Sequence, residues 1–152
     1  VSRCRGFSLV ELVVVIVLLG IVAAVAVPRL GGGNGFEERG VRDQIVAALR
    51  YAQKSAVAAR RTVCVTFSSS PSRVDFNISG TYPAANCAGG SVLAGPDGAT
   101  LYVTSSVIAF SSSTANFSFD AAGRASAATT VTVAGLPASL AITVENETGY
   151  VH

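Results

Sequence analysis

Three groups of residues in this chain of 152 residues have types and spacings that could do chemistry. The first is a carboxylate in an apolar setting. From Phe7 to Val27 the sequence carries one charge, Glu11. As a helix this run reaches roughly 31 Å, about one hydrocarbon core. A carboxylate inside a spanning helix costs a few kcal/mol even on lenient insertion scales, so Glu11 calls for a cationic partner or a function. The second group is the thiols: of three cysteines, Cys4 stands in the leading segment, and Cys64 and Cys87 stand well beyond the apolar run. The third is a set of cations, Arg39, Arg50, Lys54 and Arg61 with Arg42 and Arg60 on the flanks, which recur along one segment and could meet phosphates or a protein surface.

Other chemistries are excluded by what is missing. The only histidine is His152. A serine triad needs a base, and a zinc site needs more ligands than two cysteines without histidine neighbours. Asp97, Asp120, Glu145 and Glu147 have no spacing that asks for a carboxylate pair. Gly31-Gly32-Gly33-Asn34-Gly35 lacks the preceding strand and following Lys-Ser/Thr of a phosphate loop. The expectation is therefore no enzyme, no cofactor and no metal.

The elements that must position these residues follow from periodicity. Arg3 and Arg5 ahead of the apolar run orient it amino end in. Gly20 and Pro28 punctuate the first helix, and the glycines at 31–33 break or bend it. From Phe36 onward Val41, Ile45, Ala48, Leu49, Ala52, Ala56 and Ala59 recur at helical spacing, giving a narrow, alanine-rich face that a sheet can approach closely. The basic residues lie on the other side, interrupted by Asp43, Val46 and Val57, which favours a solvated or subunit-contact face over a phosphate-binding one. After Thr62 the sequence turns to short alternating runs. A hairpin is expected from Thr62–Ser68 and Arg73–Ile78, then a long loop over 79–99. Strands are expected around Leu101–Thr104, Val107–Phe110, Asn116–Phe119, Thr130–Val133 and Leu140–Glu145. One helix and many short strands imply an α+β domain with one or two antiparallel sheets.

Gly6-Phe7-Ser8-Leu9-Val10-Glu11 and the run behind it closely resemble the cleavage and methylation signal of type IV prepilins and type II secretion pseudopilins. That resemblance implies that prepilin peptidase cuts after Gly6 and methylates Phe7. It also implies that Glu11 pairs with the amino terminus of a neighbouring subunit during assembly. A buried carboxylate with a cation costs far less than one alone. Arg50 to Val63, Phe117 to Arg124 and Ile142 to Val151 look like the helix–strand junction, strand–turn element and closing strand of GspH/FimT-like minor pilins. The last also resembles minor pilins of the mannose-sensitive haemagglutinin type. An ordinary signal peptide ending at Ala24-Val25-Ala26 fits less well, because its apolar region is shorter and holds no glutamate.

The resemblance implies a type IV pilin-like fold: a long amino-terminal helix, membrane-spanning in its first half, packed against antiparallel sheet. It divides the chain into a leader at 1–6, a transmembrane and assembly helix at 7–29, and a periplasmic globular domain at 30–152. The subunit would sit in the inner membrane as a single pass, contact the assembly platform and other pilins through its helix, and enter a filament, at its tip or initiation complex. In a chain exported to an oxidising compartment, Cys64 and Cys87 are expected to pair, the alternative being two buried free thiols. A second functional reading is a DNA-binding minor pilin for natural transformation, using Arg50, Lys54, Arg61 and Arg124. It is the weaker one: the formal charge of +2 falls to zero once Arg3 and Arg5 leave, and no Lys or Arg follows Arg124.

Overall fold

The computed structural model describes residues 8–30 and 34–152. The leader at 1–6, the cleavage pair Gly6 and Phe7, and the glycine break at 31–33 lie outside the described residues. The chain forms two compact units, one ending at Asn34 and the other running Gly35–His152.

The first unit contains α1, Leu9–Leu30, 22 residues long. Ser8 opens it, its carbonyl accepting the Leu12 N–H at 3.1 Å. Helical backbone continues through Gly20 and Pro28. Every described side chain from Leu9 to Val25 is exposed within this chain, and none of these apolar side chains falls in the buried core. Among the described residues, whose side chains end at Val25 in this helix, no helix is both long and apolar enough to cross a membrane.

The second unit is built on α2, Asn34–Ala59. Ile45, Leu49, Ala52 and Ala56 are wholly buried, with Val46 and Ala48 beside them. The buried stripe is thus wider than its sequence period suggests. Val46, expected to interrupt the basic side, belongs to the core, and Ala59, expected in the stripe, is exposed. The helix ends with the Arg61 N–H on Ala56 O at 3.0 Å and the Arg60 N–H on Val57 O at 3.2 Å, with Arg60 at φ 51°. This pair of bonds is a Schellman cap, whose left-handed residue is usually glycine.

Two antiparallel sheets pack around the core. In the larger, β1 (Val63–Ser69) pairs on one side with β2 (Ser72–Ile78) and on the other with β6 (Asn116–Phe119). The outer edge of β2 is shared by β3 (Ser91–Val92) and β4 (Tyr102–Ser105). The smaller sheet runs β5 (Phe110–Ser112), β7 (Thr129–Val133), β8 (Ile142–Val144). Alternation places Val63, Val65, Val74, Phe76, Phe117 and Phe119 inward from the first sheet, and Val131, Val133, Ile142 and Val144 from the second. Phe117 and Phe119 meet edge to face with centroids 5.3 Å apart.

Two strand expectations change. Val107–Ala109 do not join a strand, and Val107 is exposed. The Ser105 hydroxyl accepts the N–H of Ile108 at 2.8 Å and of Val107 at 3.3 Å, a local turn that withdraws those donors from a ladder. Ala138–Leu140 form a 3-10 turn after Pro137, so β8 begins only at Ile142. Residues 150–152 return alongside β8, with mutual backbone bonds between Thr143 and His152 at 2.8 and 3.0 Å.

Candidate functional site

Glu11 lies in the first turn of α1, the third helical residue after Ser8. That is the spacing of a capping box, and a carboxylate there is favoured by the unsatisfied N–H groups of the helix start. The Ser8-x-x-Glu11 pattern is a signal in the sequence that the reading by membrane cost alone passes over. All around this turn the surface is apolar and exposed.

Cys64 and Cys87 are disulfide-bonded, their Cα atoms 6.1 Å apart. Cys64 sits on the outward side of β1, opposite Asn77 of β2. The bridge ties the loop after β2 back to the sheet, where Gly90 N–H also bonds Cys87 O at 3.0 Å.

Two of the cations on the basic side of α2, Arg42 and Arg50, make hydrogen bonds within the fold. Arg50 spends both Nε and Nη2 on the carbonyl of Val151, at 3.1 and 2.9 Å. Arg42 Nε donates to Leu140 O at 2.8 Å, and its Nη1 meets Asp43 at 3.1 Å. Gln53 Nε2 bridges Gly123 O at 3.0 Å and Thr148 O at 2.9 Å. These side chains pin α2 to the turn after β6 and to the closing strand. Arg50 is exposed, with its Nε and Nη2 turned to a carbonyl of the closing segment. Lys54, Arg60 and Arg61 are exposed and form no ion pair among the described residues.

Arg124 closes the turn after β6. The Asp120 carboxylate accepts the backbone N–H of Arg124 at 2.8 Å and of Ala122 at 2.9 Å, and Arg124 Nε at 3.2 Å. Partial burial alone would raise the Asp120 pKa, but these bonds and the Arg124 charge hold it below the ordinary carboxylate value. Gly123 takes φ 81° to close this turn. Gly149, at φ 63°, packs so closely on the Gly123 carbonyl that a Cβ would collide with it. Arg124 and Lys54 are thus on separate elements, one paired and one not. The four candidate cations do not form one free cluster. Among the described residues no group of His, Cys, Asp and Glu could hold a metal ion.

A helix laid on two antiparallel sheets, with an apolar helix and a lone first-turn carboxylate ahead of it in the chain, defines the class of pilin-like filament subunits, which are structural proteins rather than enzymes. Residues 1–27 match the prokaryotic N-terminal methylation motif. Residues 42–148 match the family described as Type II transport protein GspH, and the chain belongs to that family. It is a minor pilin or pseudopilin, of a type IV pilus or a type II secretion system. The fold is similar to the type IV minor pilin FimU of Pseudomonas aeruginosa, with a TM-score of 0.53 at 13% identity, covering 79% of this chain and 90% of that one. It is also similar to the minor pseudopilin EpsH of the type 2 secretion system of Vibrio cholerae, with a TM-score of 0.57 at 11% identity, covering 76% and 94%. No curated relative matches the sequence.

Proposed function

We propose that the chain is a processed minor subunit that enters a filament by its amino-terminal helix. Prepilin peptidase removes residues 1–6, and Phe7 becomes the methylated amino terminus. Residues 7–29 then hold the subunit in the inner membrane as a single pass, with residues 30–152 in the periplasm, until an assembly platform extracts it. The observation that carries this reading is Glu11 in the first turn of a helix whose apolar side chains are exposed all round. At about 1.5 Å per residue α1 is roughly 33 Å long, which suits one hydrocarbon core. Cleavage places a new cation four residues from Glu11, and pairing with the amine of a neighbouring subunit removes the cost of its burial. Affiliation with the GspH family supports a place among low-abundance subunits, at the tip or initiation complex.

The test is the mature amino terminus. Mass spectrometry of the membrane-bound protein should find methylated Phe7 as the first residue. A mature chain beginning at Val27 would sink this reading. The DNA-uptake alternative is weaker, because Arg50 and Arg124 already have partners within the fold. In a mobility-shift assay the full chain in detergent should show no salt-sensitive affinity for duplex DNA that Lys54→Ala and Arg61→Ala abolish together.

A further inference from the structure

Glu38, on the second turn of α2, is 9% exposed, and among the described residues it is the one charged side chain that is buried. Its carboxylate lies against the backbone of Gly135 in the turn after β7, where any Cβ would run into it. Among the described residues it has no ion pair. Arg42, one turn further on, is placed to neutralise it. Instead Arg42 gives Nε to Leu140 O at 2.8 Å and Nη1 to Asp43 at 3.1 Å. No sealed side-chain oxygen among the described residues lacks a partner, so the Glu38 carboxylate still opens to the surface. A helix start favours carboxylates, which accounts for the exposed Glu37 beside it. It does not account for Glu38, because the same benefit is open to a carboxylate left in water. Burial without a partner costs stability, so this position calls for a cation from elsewhere.

The far end of the same helix shows what a neighbour of this fold can offer. Lys54, Arg60 and Arg61 are exposed and form no ion pair among the described residues. Lys54 is roughly 24 Å along the helix from Glu38, and the two arginines follow it. Subunits drawn from one membrane share one orientation, so in a filament they meet head to tail and present different surfaces to each other. In that arrangement the start of one α2 faces the end of another, and the two ends of this helix are complementary in charge.

We propose that Glu38 is a socket for a lysine or arginine side chain from the end of the adjoining subunit's α2, an inference that rests on the filament reading above. The incoming cation donates to the carboxylate oxygens at the mouth of the socket. Gly135, having no side chain, leaves the carboxylate its place against the backbone. The carboxylate is already stripped of most of its water in the single subunit, so pairing adds little desolvation on that side.

Glu38→Gln keeps the shape of the side chain and removes its charge, so stability and assembly should move in different directions. The full chain in detergent should melt no lower than wild type, because an unpaired charge has gone. Its share in sheared filaments, relative to whole membranes, should fall by about tenfold or more. Glu37→Gln, the same charge removed from the exposed position beside it, should lower that share by a few-fold at most. A benzoylphenylalanine at position 37, irradiated in sheared filaments, should couple to peptides from the last two turns of a neighbour's α2. Coupling only to other segments, or an equal loss in both glutamine variants, would overturn the proposal. A melting temperature that falls together with assembly would place the partner of Glu38 within its own chain and overturn it too. If Glu38→Gln assembles like wild type while wild type carries methylated Phe7, the socket fails and the filament reading stands. Wild type missing from sheared filaments would sink both.

Discussion

α1 and α2 are both long helices, of 22 and 26 residues, yet they are written for different solvents. α1 has apolar residues on every side and buries none of the described ones within its own chain. α2 has one apolar stripe, and its stretch from Ile45 to Ala56 is buried in the core it shares with the sheets. A helix that is hydrophobic all round needs lipid or other helices about it; an amphipathic one needs only its own domain. The first helix is therefore completed by assembly and the second by folding, so changes in the two should fail in different assays.

The largest effect expected is at Glu11. Glu11→Ala should still be cut after Gly6 but should enter filaments roughly a hundredfold less, the scale of breaking a buried ion pair. Immunoblots of sheared filaments against whole membranes would measure it. Wild-type incorporation by this variant would remove the pairing role.

Core truncation on α2 comes next. Leu49→Ala should destabilise the second unit by about 3 kcal/mol, because its side chain is fully buried. Leu18→Ala on α1 should leave that unit's denaturant midpoint unchanged while lowering filament yield. A shift in the midpoint from Leu18→Ala would break the division between the two helices.

Cys87→Ser tests the second unit from outside its core. Constraint of the unfolded chain by a bridge spanning 23 positions contributes on the order of 3 kcal/mol. That difference should vanish when wild type is melted in reductant, and its persistence there would argue for a packing role of the sulfur instead.

How much of this was legible in the sequence depends on whether a residue acts along the chain or across it. The α2 stripe, the Val63–Ile78 hairpin and β6 at Asn116–Phe119 follow from periods of three to four and of two, which are local. The fate of Val107 was not legible, since the apolar pattern reads as strand until the Ser105 hydroxyl is seen taking two backbone donors. The hydrogen-bond partner of Arg50 was not legible either: the carbonyl it meets is 101 positions away, and no spacing rule carries that distance. Arg60 was hidden for the opposite reason: its left-handed backbone is a position where sequence patterns look for glycine.

The smallest expected effect is electrostatic and sits in the turn after β6. Asp120 has its carboxyl held below the ordinary value in the folded chain, so the unfolded chain takes up the proton first. The stabilisation it brings is complete above about pH 4, the unperturbed carboxylate range, and is lost as pH falls through the lower folded value. The melting temperature of Asp120→Asn should therefore lie slightly below wild type at neutral pH and converge with it in acid. A difference that holds constant down to strong acid would show that the turn does not depend on the charge.

The Schellman cap has a consequence for engineering this domain. An L-residue in the left-handed region costs about 1 kcal/mol relative to glycine, and the chain carries an exposed arginine there. Glycine at position 60 would make a sturdier helix end and a less cationic surface in one step, with asparagine between the two. A ranking of melting temperatures across Gly, Asn and Arg would follow the backbone, whereas any property that uses the positive charge would set Arg apart from the other two, which carry none. At this one position thermostability and surface chemistry can be dialled against each other without touching the core.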